Sequence, residues 1–184
     1  ISVKSEWKRM ENFFKKAKKL KCLISLDTRK SKIMELASKY KVDLVNDVSG
    51  LNYDISTIKF LRKTNKPFVI HHSKGTPKNM QKKPNYKNVL LEIYDFFENK
   101  LKIINRKGIK HKNIILDPGI GFGKNLKHNI TLINKISIFH TLGFPILLGL
   151  SRKRFIKDIS NENDSKDRIG GTVSSCIFLS LIHI

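Results

Sequence analysis

Residues 114–124 read IILDPGIGFGK, and their types and order suit them to chemistry. A short apolar run stops at Asp117-Pro118-Gly119, and a loop punctuated by Gly119, Gly121 and Gly123 then closes on Lys124. Pro118 removes a backbone donor and fixes φ, so a strand is expected to end there and hand a carboxylate to the loop. The glycines let the backbone pass close to a ligand, with Phe122 free to cover it. A buried strand that delivers a carboxylate into a loop is how an α/β enzyme places chemistry. A plain glycine-rich turn accounts for the same stretch. No Gly-Lys-Ser/Thr follows and the third glycine falls at the wrong interval, which excludes a Walker loop and a dinucleotide fingerprint.

Other polar residues follow apolar runs in the same way. Asp27, Asn46, His72 and Lys153 stand at or just past the ends of the runs 22–26, 44–45, 67–70 and 145–150. A barrel would bring such strand ends into one ring facing a single pocket. Each also has a structural reading: Asp27 as a helix cap, Asn46 as a turn former, Lys153 as a surface charge. His71 and His72 form a pair that a metal could use, but no cysteine or further histidine stands at a matching spacing, and pocket wall is the preferred reading.

These residues need elements to position them. Trp7, Met10, Phe14 and Ala17 mark an amphipathic helix over 5–20, and Ile33, Leu36, Ala37 and Tyr40 a second. Ile55, Ile58 and Leu61 mark a third over 54–63. Val89, Leu90, Ile93, Phe96, Phe97, Leu101 and Ile104 give the longest, 86–107, with Gly108 as its stop. Leu132, Ile133, Ile136 and Phe139 place another over 128–140, ended near Gly143. A short helix follows over Phe155, Ile156 and Ile159. The last helix holds Ile169, Val173, Cys176 and Ile177, with Gly170, Gly171 and Ser174 allowing close packing. The loop 74–85 is long for this chain, and such loops are often functional.

Strand and helix alternate five times with no hairpin signal, which argues a parallel sheet with right-handed crossovers. The strands are continuous apolar runs, as when both faces are covered. The polar residues at successive strand ends favour a barrel, which gathers such ends into one ring, over an open sheet, which spreads them along an edge. The expected fold is therefore α/β, a partial TIM (β/α)8 barrel with strands about 3 to 7 and their helices. One domain over 1–184 is expected, truncated at both ends, since a full barrel needs about 250 residues.

The formal net charge is +22, from 37 Lys and Arg against 15 Asp and Glu. Such an excess invites a polyanion reading. The lysines are spread along every helix, however, with no aromatic-interleaved basic strand, so nucleic acid is not expected as a partner. No apolar run reaches the ~18 residues of a membrane span, and no signal peptide is visible. Cys22 and Cys176 lie in apolar contexts far apart, which reads as reduced core cysteines of a cytoplasmic protein.

Five segments then carry a resemblance: Ser25-Leu26-Asp27-Thr28, Val45-Asn46-Asp47-Val48-Ser49-Gly50, the stretch from His72 to Gln81, Asp117 to Lys124, and Leu150-Ser151-Arg152-Lys153. In order and spacing they resemble the successive signatures of the dihydropteroate synthase family of pterin-binding barrels. The resemblance implies a transferase of folate biosynthesis that joins 6-hydroxymethyl-7,8-dihydropterin diphosphate to 4-aminobenzoate and releases diphosphate. It implies Asp27 and Lys153 as catalytic residues. It implies Asp27, Asn46, Ser73, Asp117, Phe122, Gly149, Ser151, Lys153 and Arg154 as substrate-binding. Within that set Phe122 would lie beside the aminobenzoate ring, and a helix begun over 151–154 would offer free N–H groups and Arg154 to its carboxylate.

The resemblance further implies Mg2+ with its protein ligand outside this chain, a homodimer at full length and a sulfonamide target. The family's two early loops and its last Arg-x-His strand have no counterpart here. A pterin-binding methyltransferase-type barrel shares the pocket and stays open as an alternative, as does a non-catalytic polyanion-binding protein.

Overall fold

The structure, a computed structural model, describes residues 1–75 and 84–182. They pack as two compact units, each built from two stretches of chain: Ile1–His71 with Asn99–Leu116, and His72–Glu98 with Asp117–Ile184.

The first unit holds α1 (Val3–Ala17), β1 (Ser25–Asp27), α2 (Ser31–Ala37), β2 (Leu44–Asp47), α3 (Ser56–Thr64), β3 (Phe68–His71) and all but the last residue of β4 (Ile114–Asp117). The four strands form one sheet in the order β1-β2-β3-β4. β1 runs parallel to β2 and β2 to β3, with Asp27 opposite Asn46 and Asp47 opposite Ile70. Parallel neighbours in chain order are what helical crossovers produce. All four residues of β3 are buried, which explains its continuous apolar run.

The stripe on α1 packs as its spacing predicts. Phe14 and Ala17 are buried, and Trp7 stacks on Phe14 at 5.8 Å with Tyr40 alongside. Ser2 caps the helix by accepting from the Ser5 N–H. Glu6 then reaches the turn after β1, accepting from Thr28 Oγ1 at 2.6 Å and pairing with Lys30.

The second unit holds the first part of α4 (Val89–Arg106), the loop after β4, α5 (Leu126–Asn134), α6 (Arg154–Ser160) and α7 (Ile169–Ile182). Its core gathers Ile93, Phe97, Ile120, Leu132, Ile136, Phe139, Phe155 and Ile156, all buried. Phe97 meets Phe139 edge to face at 5.8 Å. Gly108 and Gly143 take positive φ where the sequence stops its helices, as left-handed terminators do.

Several expectations need correction. The expected fifth strand, 145–150, contains only a single bridging residue, Ile146, so four strands are formed among the described residues. Apolar continuity encodes burial, whereas a ladder also needs a partner in register. Lys153 accordingly does not stand at a strand end. The helix expected over 128–140 is α5 followed by a 3-10 segment, Ile136–Leu142, although the four inward residues are those expected.

Ile55 and Ile159 point outward, since α3 turns Thr57, Phe60 and Leu61 inward and α6 turns Phe155 and Ile156 inward. On α7, Ile169, Val173 and Ile177 are exposed, and the helix is apolar on most of its circumference, so periodicity does not select a buried face. Cys22 and Cys176 are free and exposed rather than core. Much of the loop 74–85 lies outside the described residues. Among those residues no helix is long and apolar enough to cross a membrane.

α7 nevertheless approaches α6 closely at one point. A Cβ on Gly171 would sit 2.4 Å from Ile156 Cγ2, while one on Gly170 meets nothing within 4 Å. In the full-length protein, Gly171→Ala should therefore cost ~1–3 kcal/mol by overpacking. Gly170→Ala should be neutral or stabilise by up to ~1 kcal/mol. Urea unfolding midpoints of the two variants measure the difference, and equal midpoints would mean that α6 and α7 are not in contact there.

Candidate active site

In the first unit the ends of β1 and β2 present Asp27, Asn46 and Asp47 side by side. The Asn46 amide lies 3.5 Å from Asp27 Oδ2, and its own Oδ1 is buried with no hydrogen-bond partner. A buried acceptor left open is costly unless something supplies a donor. Burial raises the Asp27 pKa above its ordinary value, and the nearby carboxylates of Asp47 and Glu6 push it the same way.

The structural readings of these two residues fail on the geometry. Asp27 does not cap α2, because the Ser31 N–H is taken by Asp54 Oδ2 at 2.8 Å. Asn46 does not make the turn after β2. Asp47 makes it, accepting from the Ser49 N–H at 2.8 Å and from Ser49 Oγ at 2.6 Å. Asp47 is fully buried, and burial raises its pKa. His71 spends Nδ1 on the Val48 carbonyl, 3.0 Å away, which makes it part of the wall.

In the second unit the loop after β4 is built as the glycines require. Gly119, Gly121 and Gly123 all take positive φ. Gly123 is indispensable for a second reason, since a Cβ there would lie 2.3 Å from the Lys74 carbonyl oxygen. Asp117 caps the turn by accepting from the Gly119 N–H at 2.7 Å, and Asn129 of α5 accepts from the Gly121 N–H at 2.7 Å. Three loop carbonyls are taken by side chains: Ile120 by Lys153 Nζ, Phe122 by Lys124 Nζ at 2.9 Å, and Gly123 by the Tyr86 hydroxyl at 3.1 Å. An Asn125–His128 capping box then starts α5 directly after Lys124.

Asp117, Phe122 and Lys153 are thus brought together. Lys153 Nζ lies 4.7 Å from the Phe122 ring centroid, a cation–π distance. Burial raises the Asp117 pKa, opposed by the Gly119 N–H and the charges of Lys153 and Lys124. Burial lowers the Lys153 pKa, opposed by Asp117. The surface reading of Lys153 is excluded by that burial. Gly149 lies against the lysine tip, where a Cβ would be 3.5 Å from Nζ. Ser73 is half-buried after His72, and Ser151 and Arg154 are exposed. Arg154 Nε lies 3.7 Å from Asp158.

Residues 151–154 do not begin a helix together. α6 starts at Arg154, because Arg152 adopts a left-handed φ of 53° that no helix continues. The Arg152 N–H goes to Thr172 Oγ1 at 2.9 Å and the Lys153 N–H to the Leu150 carbonyl at 3.3 Å, so neither remains for a carboxylate.

Lys124, absent from the sequence-based set, lies within this cluster. It is 3% exposed and its Nζ also lies 3.1 Å from His72 Nδ1. Burial brings its pKa from 10.5 to about 7, with Asp117 opposing and Lys153 reinforcing. Closing a glycine loop with a lysine is the sequence signal; its burial is visible only in three dimensions. Among the described residues no three His, Cys, Asp or Glu side chains are grouped to hold a metal ion.

A parallel sheet whose strands alternate with helices defines the class: an α/β protein on a partial (β/α)8 barrel. Comparison with known proteins agrees. A family model described as pterin binding enzyme matches residues 1–180, and the chain belongs to that family. It is 35% identical over 153 residues to the dihydropteroate synthase of Synechocystis and 35% identical over 179 residues to that of Neisseria meningitidis serogroup C. Those alignments cover 83% and 96% of this chain but 53% and 63% of the relatives, so the chain spans between half and two-thirds of their length.

The structure matches Yersinia pestis dihydropteroate synthase in a sulfonamide drug complex with a TM-score of 0.92 at 29% identity, over 98% of this chain and 65% of that one. It matches the Thermus thermophilus enzyme in complex with 4-aminobenzoate with a TM-score of 0.90 at 32% identity, over 98% and 70%.

The lowered pKa of Lys124 has a consequence for stability. Between about 7 and about 10 the unfolded chain binds more protons than the native one, so this group makes stability rise with pH across that window. In the full-length protein, the stability of wild type over Lys124→Met should therefore grow between about pH 7 and about pH 9 in urea titrations. A constant difference would make Lys124 an ordinary solvated lysine.

Proposed function

We propose that this chain forms part of a dihydropteroate synthase, which condenses 6-hydroxymethyl-7,8-dihydropterin diphosphate with 4-aminobenzoate. The observation that carries the reading is the cluster of Asp117, Lys153 and Phe122, a carboxylate and an ammonium held against an aromatic ring. The long dihydropteroate synthase alignments support it.

In this reading the Asp117 carboxylate accepts from the ring N–H donors of the pterin, and Lys153 donates to the ring carbonyl side. Asn46 offers its open Oδ1 and its amide to the same kind of edge. Asp27 stabilises positive charge building on the exocyclic carbon. Phe122 flanks the aromatic amine. The amine nitrogen's lone pair forms the new C–N bond as the C–O bond to diphosphate breaks. That electron pair leaves on the diphosphate oxygen, and the amine gives up one proton.

Mg2+ is proposed to accompany the diphosphate; the described residues do not fit a metal site, and none of the roles above depends on one. A cytoplasmic location, a homodimer at full length and sensitivity to sulfonamides belong to the same proposal, the last supported by the drug complex of the Yersinia relative.

Two measurements on the full-length enzyme test the assignment. Asp117→Ala should weaken pterin binding at least tenfold, since a charge-assisted hydrogen-bond pair contributes ~1.5–3 kcal/mol. Calorimetry finding unchanged affinity in a folded variant would sink the role. Lys153→Ala should weaken pterin binding and turnover together, whereas Phe122→Ala should mainly raise the 4-aminobenzoate KM. The reverse pattern in steady-state kinetics would count against this placement of the two substrates.

A further inference from the structure

We propose that Lys124 is a positioning residue for the second substrate: by tying the Phe122 carbonyl to His72, it sets the loop that aims Phe122 at the aromatic amine. This deepens the synthase reading and rests on it.

The geometry is specific. Lys124 Nζ donates to the Phe122 carbonyl at 2.9 Å and approaches His72 Nδ1 at 3.1 Å and the His72 carbonyl at 3.5 Å. One ammonium therefore joins the residue after β3 to the residue whose ring faces Lys153. His72 is itself held, its N–H donating to the Asp117 carbonyl at 2.8 Å and its ring meeting Phe96 edge to face at 5.0 Å. The far end of the tie is fixed while the loop end carries three residues of left-handed glycine backbone. Without an ammonium at this point, the Phe122 carbonyl loses a charged donor next to glycines that resist rotation weakly.

The environment makes the tie sensitive to protonation. His72 Nδ1, 3.1 Å from Lys124 Nζ, accepts from the ammonium when that ring nitrogen carries no proton. The other ionisable groups acting on Lys124 are Asp117 and Lys153, and the lysine in turn disfavours charge on His128 of α5. Arg154 and Asp158 of α6 line the same cavity of about 130 Å³ as Lys124. Loss of the Lys124 proton above about 7 would convert charged hydrogen bonds into weaker neutral ones.

The test uses the full-length enzyme with Lys124→Met and Lys124→Gln, the glutamine keeping a neutral donor. Amide hydrogen exchange across 119–124 should quicken about tenfold in Lys124→Met and less in Lys124→Gln, with the α5 core unchanged. The 4-aminobenzoate KM should rise about tenfold or more while pterin affinity stays within about threefold. The wild-type KM should also climb above about pH 7, and this slope should vanish in Lys124→Met. Unchanged loop exchange and KM in folded Lys124→Met would overturn the proposal. So would equal losses in pterin and aminobenzoate affinity with exchange raised throughout the unit, the mark of a general brace. A wild-type enzyme that makes no dihydropteroate would defeat the synthase reading alone, because the exchange measurement still decides whether Lys124 holds the loop.

Discussion

The second unit depends on satisfying the inward-turned carbonyls of one glycine loop. Gly119, Gly121 and Gly123 all take left-handed φ, and the carbonyls of Ile120, Phe122 and Gly123 between and beside them need donors. Lys153, Lys124 and Tyr86 supply them. Desolvating the buried Lys124 and the half-buried Lys153 is costly, and the Asp117 carboxylate, coupled electrostatically to both, offsets part of that cost. Carboxylate, ammonium groups and loop are therefore one interdependent arrangement. The ring of Phe122 lies against Lys153 within that arrangement.

A different economy operates at the ends of β1 and β2. Structural duties there fall to residues beside the candidate site. Asp54 takes the first N–H of α2, Asp47 closes the turn, and Glu6 holds the turn at Thr28 and Lys30. This division leaves Asp27 with a raised pKa and Asn46 with an open acceptor. Buried polar groups are normally satisfied, so an open acceptor beside an acid is costly to the fold. The high positive charge follows another logic. Most of the 37 basic residues are solvated, whereas at the loop Lys124 is buried and Lys153 half-buried.

The elements and their polar termini were legible in the sequence because both rest on local physics. Period-3.6 stripes found α1 and α4, Pro118 marked the end of β4, and Gly108 and Gly143 marked helix stops. The motifs beginning at Asp27, Asn46 and Asp117 carried the family resemblance in order and spacing. Where local signals are ambiguous the reading failed: 145–150 was apolar enough for a strand but found only one bridging residue. Apolarity all round α7 gave no phase, and the apolar surroundings of Cys22 and Cys176 in sequence were not burial in space.

What the sequence determined by itself was the alternation of elements and the residues offered at their ends. Only the tertiary structure decided which polar side chains are consumed by the fold and which are left over, because hydrogen bonds join residues far apart in the chain. Asp54 lies 23 residues from the N–H it caps, Lys153 reaches a carbonyl 33 residues away, and Lys124 meets a histidine 52 residues back. A lysine among 37 basic residues has no local sign that it will be buried. Its desolvation is a property of everything that packs around it.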